Sequence, residues 1–105
     1  MPHVEVKYSK DINLKIDDLF NSIEGIINKV DPSAGVCKSR AFPTQFYKHS
    51  HVLLELWLLP KDHRNQAFTE SLLTSIEQLL KRQLPKDCYT SVQLYYRDTN
   101  YRTVH

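Results

Sequence analysis

The sequence predicts an α+β fold in which two βαβ units build one four-stranded sheet with both helices on the same face. Two observations carry this expectation. Hydrophobic periodicities of two and of about 3.6 follow one another in the order strand, helix, strand, then strand, helix, strand. The two halves also open alike, His3-Val4-Glu5-Val6 against His51-Val52-Leu53-Leu54, across a joint from Phe42 to His49. Each βαβ unit sets its two strands parallel, and its right-handed crossover puts both helices on one side of the sheet. The 105 residues form a single domain, in keeping with common domain sizes.

In the first half, His3 to Tyr8 alternates, with Val4, Val6 and Tyr8 on one side and His3, Glu5 and Lys7 on the other, as a half-buried strand does. Asp11 to Ile16 is a polar connector. Asp17 is placed to cap a helix whose apolar positions are Leu19, Phe20, Ile23, Ile26, Ile27 and Val30. Asp31-Pro32 stops that helix, because the residue before a proline is pushed out of helical conformation. Gly35 to Ala41 reads as the second strand, with Cys37, Ser39 and Ala41 on one face and Val36, Lys38 and Arg40 on the other; Phe42-Pro43 breaks it. Gln45 to Tyr47 reads as a short extra strand or hairpin arm.

In the second half, Ser50 to Leu59 is a strand ended by Pro60. A helix follows from about Asp62, with Ala67, Phe68, Leu72, Leu73, Ile76, Leu79 and Leu80 in one stripe, and Leu84-Pro85 closes it. Tyr89 to Arg97 is the last strand, with Val92, Leu94 and Tyr96 opposite Gln93, Tyr95 and Arg97.

Composition excludes several classes. A net charge of +2 with 25% charged residues lacks the basic excess of a nucleic-acid binder, and no apolar run is long enough to cross a membrane. Cys37 and Cys88 stand far apart without a CxxC spacing, and no leader precedes the first strand, so a reduced, cytoplasmic setting is expected.

Two helices cover only one face of the sheet, yet the third strand is apolar on both. Val52, Leu54, Leu56 and Leu58 line one side, and Leu53, Trp57 and Leu59 the other. An uncovered patch holding Trp57 and Tyr95 predicts a homo-oligomer with open faces inward; the alternative is that the tail or the Phe42 to His49 arm folds over it.

The chemistry points to the amino terminus. If Met1 is removed, Pro2 becomes a secondary amine whose ring fixes the direction of its lone pair, and it can act as a base; otherwise Met-Pro merely starts a frayed end. Lys38 and Arg40, two apart on a strand, point the same way and can grip a carboxylate near Pro2, or form a solvated or salt-bridged pair. Nearby cations and partial burial would favour the neutral amine. His3 can hydrogen-bond a substrate or sit in an interface. Glu5 and Glu55 can be acids, counter-ions or interface partners, and Cys37 is expected as a packed thiol. His49 and His51 share a strand face but lack a third ligand, so no metal site is expected.

The Met-Pro-His start, Lys38-Ser39-Arg40 after the Asp31-Pro32 stop, and the Thr103-Val104-His105 ending resemble the 5-carboxymethyl-2-hydroxymuconate delta-isomerase family of the tautomerase superfamily. The resemblance covers the whole chain in order, though its motifs are short. It implies a homotrimer with sheets inward, no metal or organic cofactor, Pro2 as general base, and a small-molecule carboxylate substrate held by Arg40 and Lys38 with His3 beside them. The family carries Arg-Ser-Arg where this chain has Lys38-Ser39-Arg40, and lysine keeps the charge but not the planar two-point grip. The chain is also shorter than these isomerases around Phe42 to His51 and in the tail. The reaction implied is proton transfer in an unsaturated keto or enol acid. A protonated Pro2 acting as an acid, as in decarboxylases or dehalogenases of the superfamily, and a non-catalytic oligomeric small-ligand-binding module of the same fold, are the alternatives.

Overall fold

Parallel pairing within each half and antiparallel pairing between them give a single mixed sheet. The computed structural model describes residues 1–104. In it the elements are β1 (His3–Ser9), α1 (Ile16–Val30), β2 (Lys38–Thr44), β3 (His51–Leu58), α2 (Gln66–Gln83) and β4 (Tyr89–Tyr96). The strand order is β2-β1-β3-β4, with β1 parallel to β2, β3 parallel to β4, and the central pair β1 and β3 antiparallel. This is the architecture expected from the two matching halves. His105, the end of the Thr103-Val104-His105 motif, lies outside the described residues.

The core lies between the sheet and the helices. Val4 and Val6 from β1, and Val52, Leu54, Leu56 and Leu58 from β3, meet Leu19, Ile23 and Ile27 of α1 and Leu72, Ile76, Leu79 and Leu80 of α2, all buried. Period two on the strands and helical spacing on the helices bring these residues to one layer, where burying each large apolar side chain contributes about 1.5–3 kcal/mol.

Several boundaries differ from the sequence expectation. Asp17 does not cap α1: the helix starts two residues earlier than that cap would set it, after Lys15, and Asp17 and Asp18 occupy its first turn, where negative charge suits the helix dipole. Asp31 does end it, in extended conformation. β2 begins at Lys38 rather than Gly35 and runs through Pro43 to Thr44. Proline is tolerated because β2 is an edge strand. The Lys38 amide donates to the Pro2 carbonyl at 2.9 Å, so alternate amides point to β1, and Pro43 falls among those that point away from it. The Gln45 to Tyr47 arm forms no strand; its Phe46 is 87% exposed.

α2 begins at Gln66, later than Asp62, because Asn65 provides the cap: its side-chain oxygen accepts from the Phe68 amide at 2.9 Å. Asn65→Ala removes that acceptor and is expected to cost about 1 kcal/mol, read as a lower urea midpoint with an unchanged slope.

Candidate active site

The start of β1, the start of β2 and the end of β3 meet at one end of the sheet. His3 pairs with Lys38 on one side and with Trp57 on the other; Glu5 pairs with Arg40 and Glu55. Pro2 precedes this row, its ring fully buried and its carbonyl bound by Lys38. It is not a frayed end.

The open face carries a polar chain built by register. Arg40 donates to Glu5 through Nε at 2.9 Å and Nη2 at 2.8 Å, and through Nη1 to His3 Nδ1 at 3.2 Å. A guanidinium can only donate, so His3 Nδ1 is an acceptor and the neutral ring carries its proton on Nε2, 3.0 Å from the Tyr101 hydroxyl. Burial first, then the Arg40 and Arg97 charges, push the His3 pKa down, which agrees with a neutral ring. Lys38 is exposed and, among the described residues, has no salt-bridge partner. Of the two expected carboxylate grips, Arg40 is therefore largely engaged by its own chain, and Lys38 is not.

The amino terminus itself looks toward a different pair of cations. Burial, then Lys61 and Arg64, hold the Met1 amine below its ordinary value. Arg64 is buried against Asp31, with Nε and Nη2 at 2.8 Å and 2.7 Å from Oδ2, and its Nη1 donates to the Leu59 carbonyl at 2.7 Å. Burial alone would raise the Asp31 carboxyl, but hydrogen bonds from Ser33, His63 and Arg64 outweigh it and hold it well below the usual carboxylate range. Cys37, at the mouth of β2, is buried, and burial pushes its thiol up to about 11, which suits a packed thiol rather than a nucleophile.

Sequence reasoning singled out Pro2, His3, Lys38 and Arg40, and the structure brings these four to one end of the sheet. It missed Lys61 and Arg64, which lie in a charged connector with no periodicity, and it read Asp31 only as a helix stop. It named the tail as a cover for the open face without the residues through which the tail acts. Tyr101 reaches back to His3, and the Arg97 guanidinium lies over Trp57 at 4.4 Å and Tyr101 at 5.2 Å, while Trp57 stacks on Tyr95 at 4.0 Å. The tail thus covers one corner of the open face, as one of the two alternatives held. Phe42 and Tyr89 remain 45% and 72% exposed there.

Glu55 and Lys7 form an ion pair of 2.7 Å on the same face. His49 and His51 do not present two free rings, since His51 Nδ1 lies 2.8 Å from the His49 carbonyl oxygen. Among the described residues no three His, Cys, Asp or Glu side chains gather in a way that could hold a metal ion.

A groove of about 740 Å³ lies elsewhere, between the end of α2 and the start of β4, lined among others by Leu80, Leu84 and Cys88. It belongs to the second half's equivalent of the Pro2 end. Matching His51 to His3 puts Ser50 in the place of Pro2, an internal residue with no free amine.

A four-stranded sheet of paired βαβ halves, with a buried proline leading a central strand, is a fold that the chain shares with several solved structures. No family model and no curated protein matches the sequence. Among solved structures, the chain is similar over 100% of its length to 88% of a 5-carboxymethyl-2-hydroxymuconate delta-isomerase, at TM-score 0.77 and 17% identity. It is similar over 99% of its length to 96% of a macrophage migration inhibitory factor-like protein from Entamoeba histolytica, at 0.70 and 13%. A fused 4-OT that forms a symmetric trimer matches 98% of the chain with 93% of its own, at 0.65 and 12%. At these identities the likeness is one of fold. No helix of the described residues is long and apolar enough to cross a membrane.

Proposed function

We propose that the protein is an isomerase or tautomerase that moves a proton within a small unsaturated keto or enol carboxylic acid, with Pro2 as general base once Met1 is removed. The observation that carries this reading is the setting of Pro2, fully buried at the sheet end and next to a Met1 amine that burial, then Lys61 and Arg64, hold below its ordinary value. Both effects favour a neutral amine, and a base works best when its pKa lies near the operating pH.

In the proposed step Pro2 takes a proton alpha to the conjugated carbonyl or from the enol, the cations stabilise the dienolate, and protonated Pro2 returns the proton at another carbon. Lys38 supplies the free charge for the carboxylate. Arg40, oriented by Glu5, adds its remaining N–H donors, and His3, with its proton on Nε2, borders the same corner. No metal or organic cofactor enters this step. The test is enol-to-keto conversion of 2-hydroxymuconate or phenylenolpyruvate followed by absorbance, with intact mass establishing removal of Met1. Conversion no faster than buffer by Met1-free protein would turn the reading to a ligand-binding module.

The isomerase is proposed to work as a homotrimer with the open sheet faces inward, as the exposed Phe42 and Tyr89 and the trimeric 4-OT relative of the fold suggest. Sedimentation equilibrium is expected to give three times the 12.4 kDa chain mass. Phe42→Lys with Tyr89→Lys is expected to shift the mass toward monomer by desolvating charge at the interface.

A further inference from the structure

We propose that Arg64, clamped by Asp31, is a positioning residue that holds the 31–37 and 59–64 loops closed around the amino-terminal nitrogen. The inference rests on the reading of Pro2 as the base and goes beyond it by naming what shapes its pocket.

The geometry begins with register. His3 stands opposite Trp57 in the antiparallel pair, so continuing that pairing two residues outward sets position 1 opposite Leu59. The Leu59 carbonyl is the one that Arg64 Nη1 binds, while the other arm of the same guanidinium binds Asp31, the C-cap of α1. One planar side chain thus ties the end of β3 to the end of α1, beside the amino terminus.

Two further contacts join the same loops: Lys61 Nζ donates to the Ser33 carbonyl at 3.3 Å, and His63 Nε2 lies 3.0 Å from Asp31 Oδ2. The 31–37 loop also reaches the terminus, for a Cβ built on Gly35 would stand 3.5 Å from the Met1 side chain.

A buried ion pair is weak evidence for stability, because two apolar residues of similar volume often serve as well. A fork with fixed geometry, by contrast, sets loop position, and misplacing a reacting group by about 1 Å can cost on the order of a hundredfold in rate. In the chain that keeps Met1, Arg64 also contributes, with Lys61, to the charge that depresses the Met1 amine. Cys37 and His3 are the other titratable groups facing it; the Cys37 thiol is held well above neutral pH by burial and the His3 ring is neutral.

The test uses the full-length, Met1-free protein. Asp31→Leu/Arg64→Leu replaces the pair with apolar bulk, and Arg64→Lys keeps the charge without the fork. The double variant is expected to retain a cooperative melt, to lose about ten- to a hundredfold in kcat with little change in KM, and to raise the Pro2 amine pKa, followed by nitrogen-15 NMR. Arg64→Lys is expected to keep the amine pKa of the parent and still lose kcat.

Unchanged kcat and an unchanged Pro2 titration in both variants would make the pair merely structural and overturn the proposal. If the double variant does not fold, Arg64→Lys decides alone: parental kcat overturns the proposal, and lowered kcat at parental KM supports it. If the parent itself turns over no substrate, the isomerase reading falls, and the NMR titration still decides this one. A Pro2 amine moved by the double variant keeps Arg64 in its role, and an unmoved amine removes it.

Discussion

Protein that keeps Met1 is expected to lose about 10²–10⁴-fold in enol-to-keto conversion against the Met1-free form, the span that a positioned general base contributes. Retained methionine turns the Pro2 nitrogen into an amide whose lone pair is delocalised into the carbonyl, so the base vanishes while the pocket stays. Pro2→Ala, processed to a free amine, is expected to fall between the two. Alanine offers a primary amine on a backbone without the ring, so the direction of the lone pair is no longer fixed. The pH profile follows the same amine. As pH falls through its pKa the nitrogen gains a proton and the rate drops. Pro2 is fully buried, and burial disfavours the charged amine, so this acid limb is expected below the titration of an amino-terminal proline free in water. Initial rates across pH for the three proteins, with intact mass for each, check all of this. A retained-Met1 protein as fast as the processed one would remove Pro2 from the mechanism.

The fold was legible because its determinants are local. Val4 and Val6, then Leu19, Ile23 and Ile27, repeat with the period of the element they occupy, and the second half repeats the plan with Val52 to Leu58 and Leu72 to Leu80. Boundaries were less so. Pro43 reads as a strand breaker unless it is known that β2 lies at the sheet edge, which only the strand order decides. Asp62 and Asn65 can both cap a helix, and it is Asn65 whose side chain accepts from the Phe68 amide.

At the site, Lys38 and Arg40 followed from strand parity, and their closeness to His3 from parallel pairing. The partners that engage them did not. That Glu5 takes two of the Arg40 donors depends on the residue-by-residue register of β1 against β2, and that Tyr101 reaches His3 depends on a tail with no periodicity at all. Arg64 and Asp31 were invisible for the same reason: they are 33 residues apart, in two connectors, joined only once both helices have packed.

That pair sets the largest expected change in stability. Asp31→Ala leaves the Arg64 guanidinium, 3% exposed, without a counter-charge, and also removes the acceptor used by Ser33 and His63. Breaking one side of a buried ion pair costs about 3–5 kcal/mol, a large share of the roughly 5–15 kcal/mol by which a domain is stable. Urea unfolding followed by circular dichroism measures the difference. Its pH dependence identifies the cause, because the Asp31 pKa is lowered on folding: the stabilisation linked to its ionisation is complete above the unfolded carboxyl value of about 3.9 and is lost as pH falls from there toward the folded value. The gap between parent and Asp31→Ala is therefore expected to be constant from neutral pH to about 5 and to narrow below about 4. A gap that stays constant into acid would mean that packing of the side chain, and not its charge, holds the two loops together.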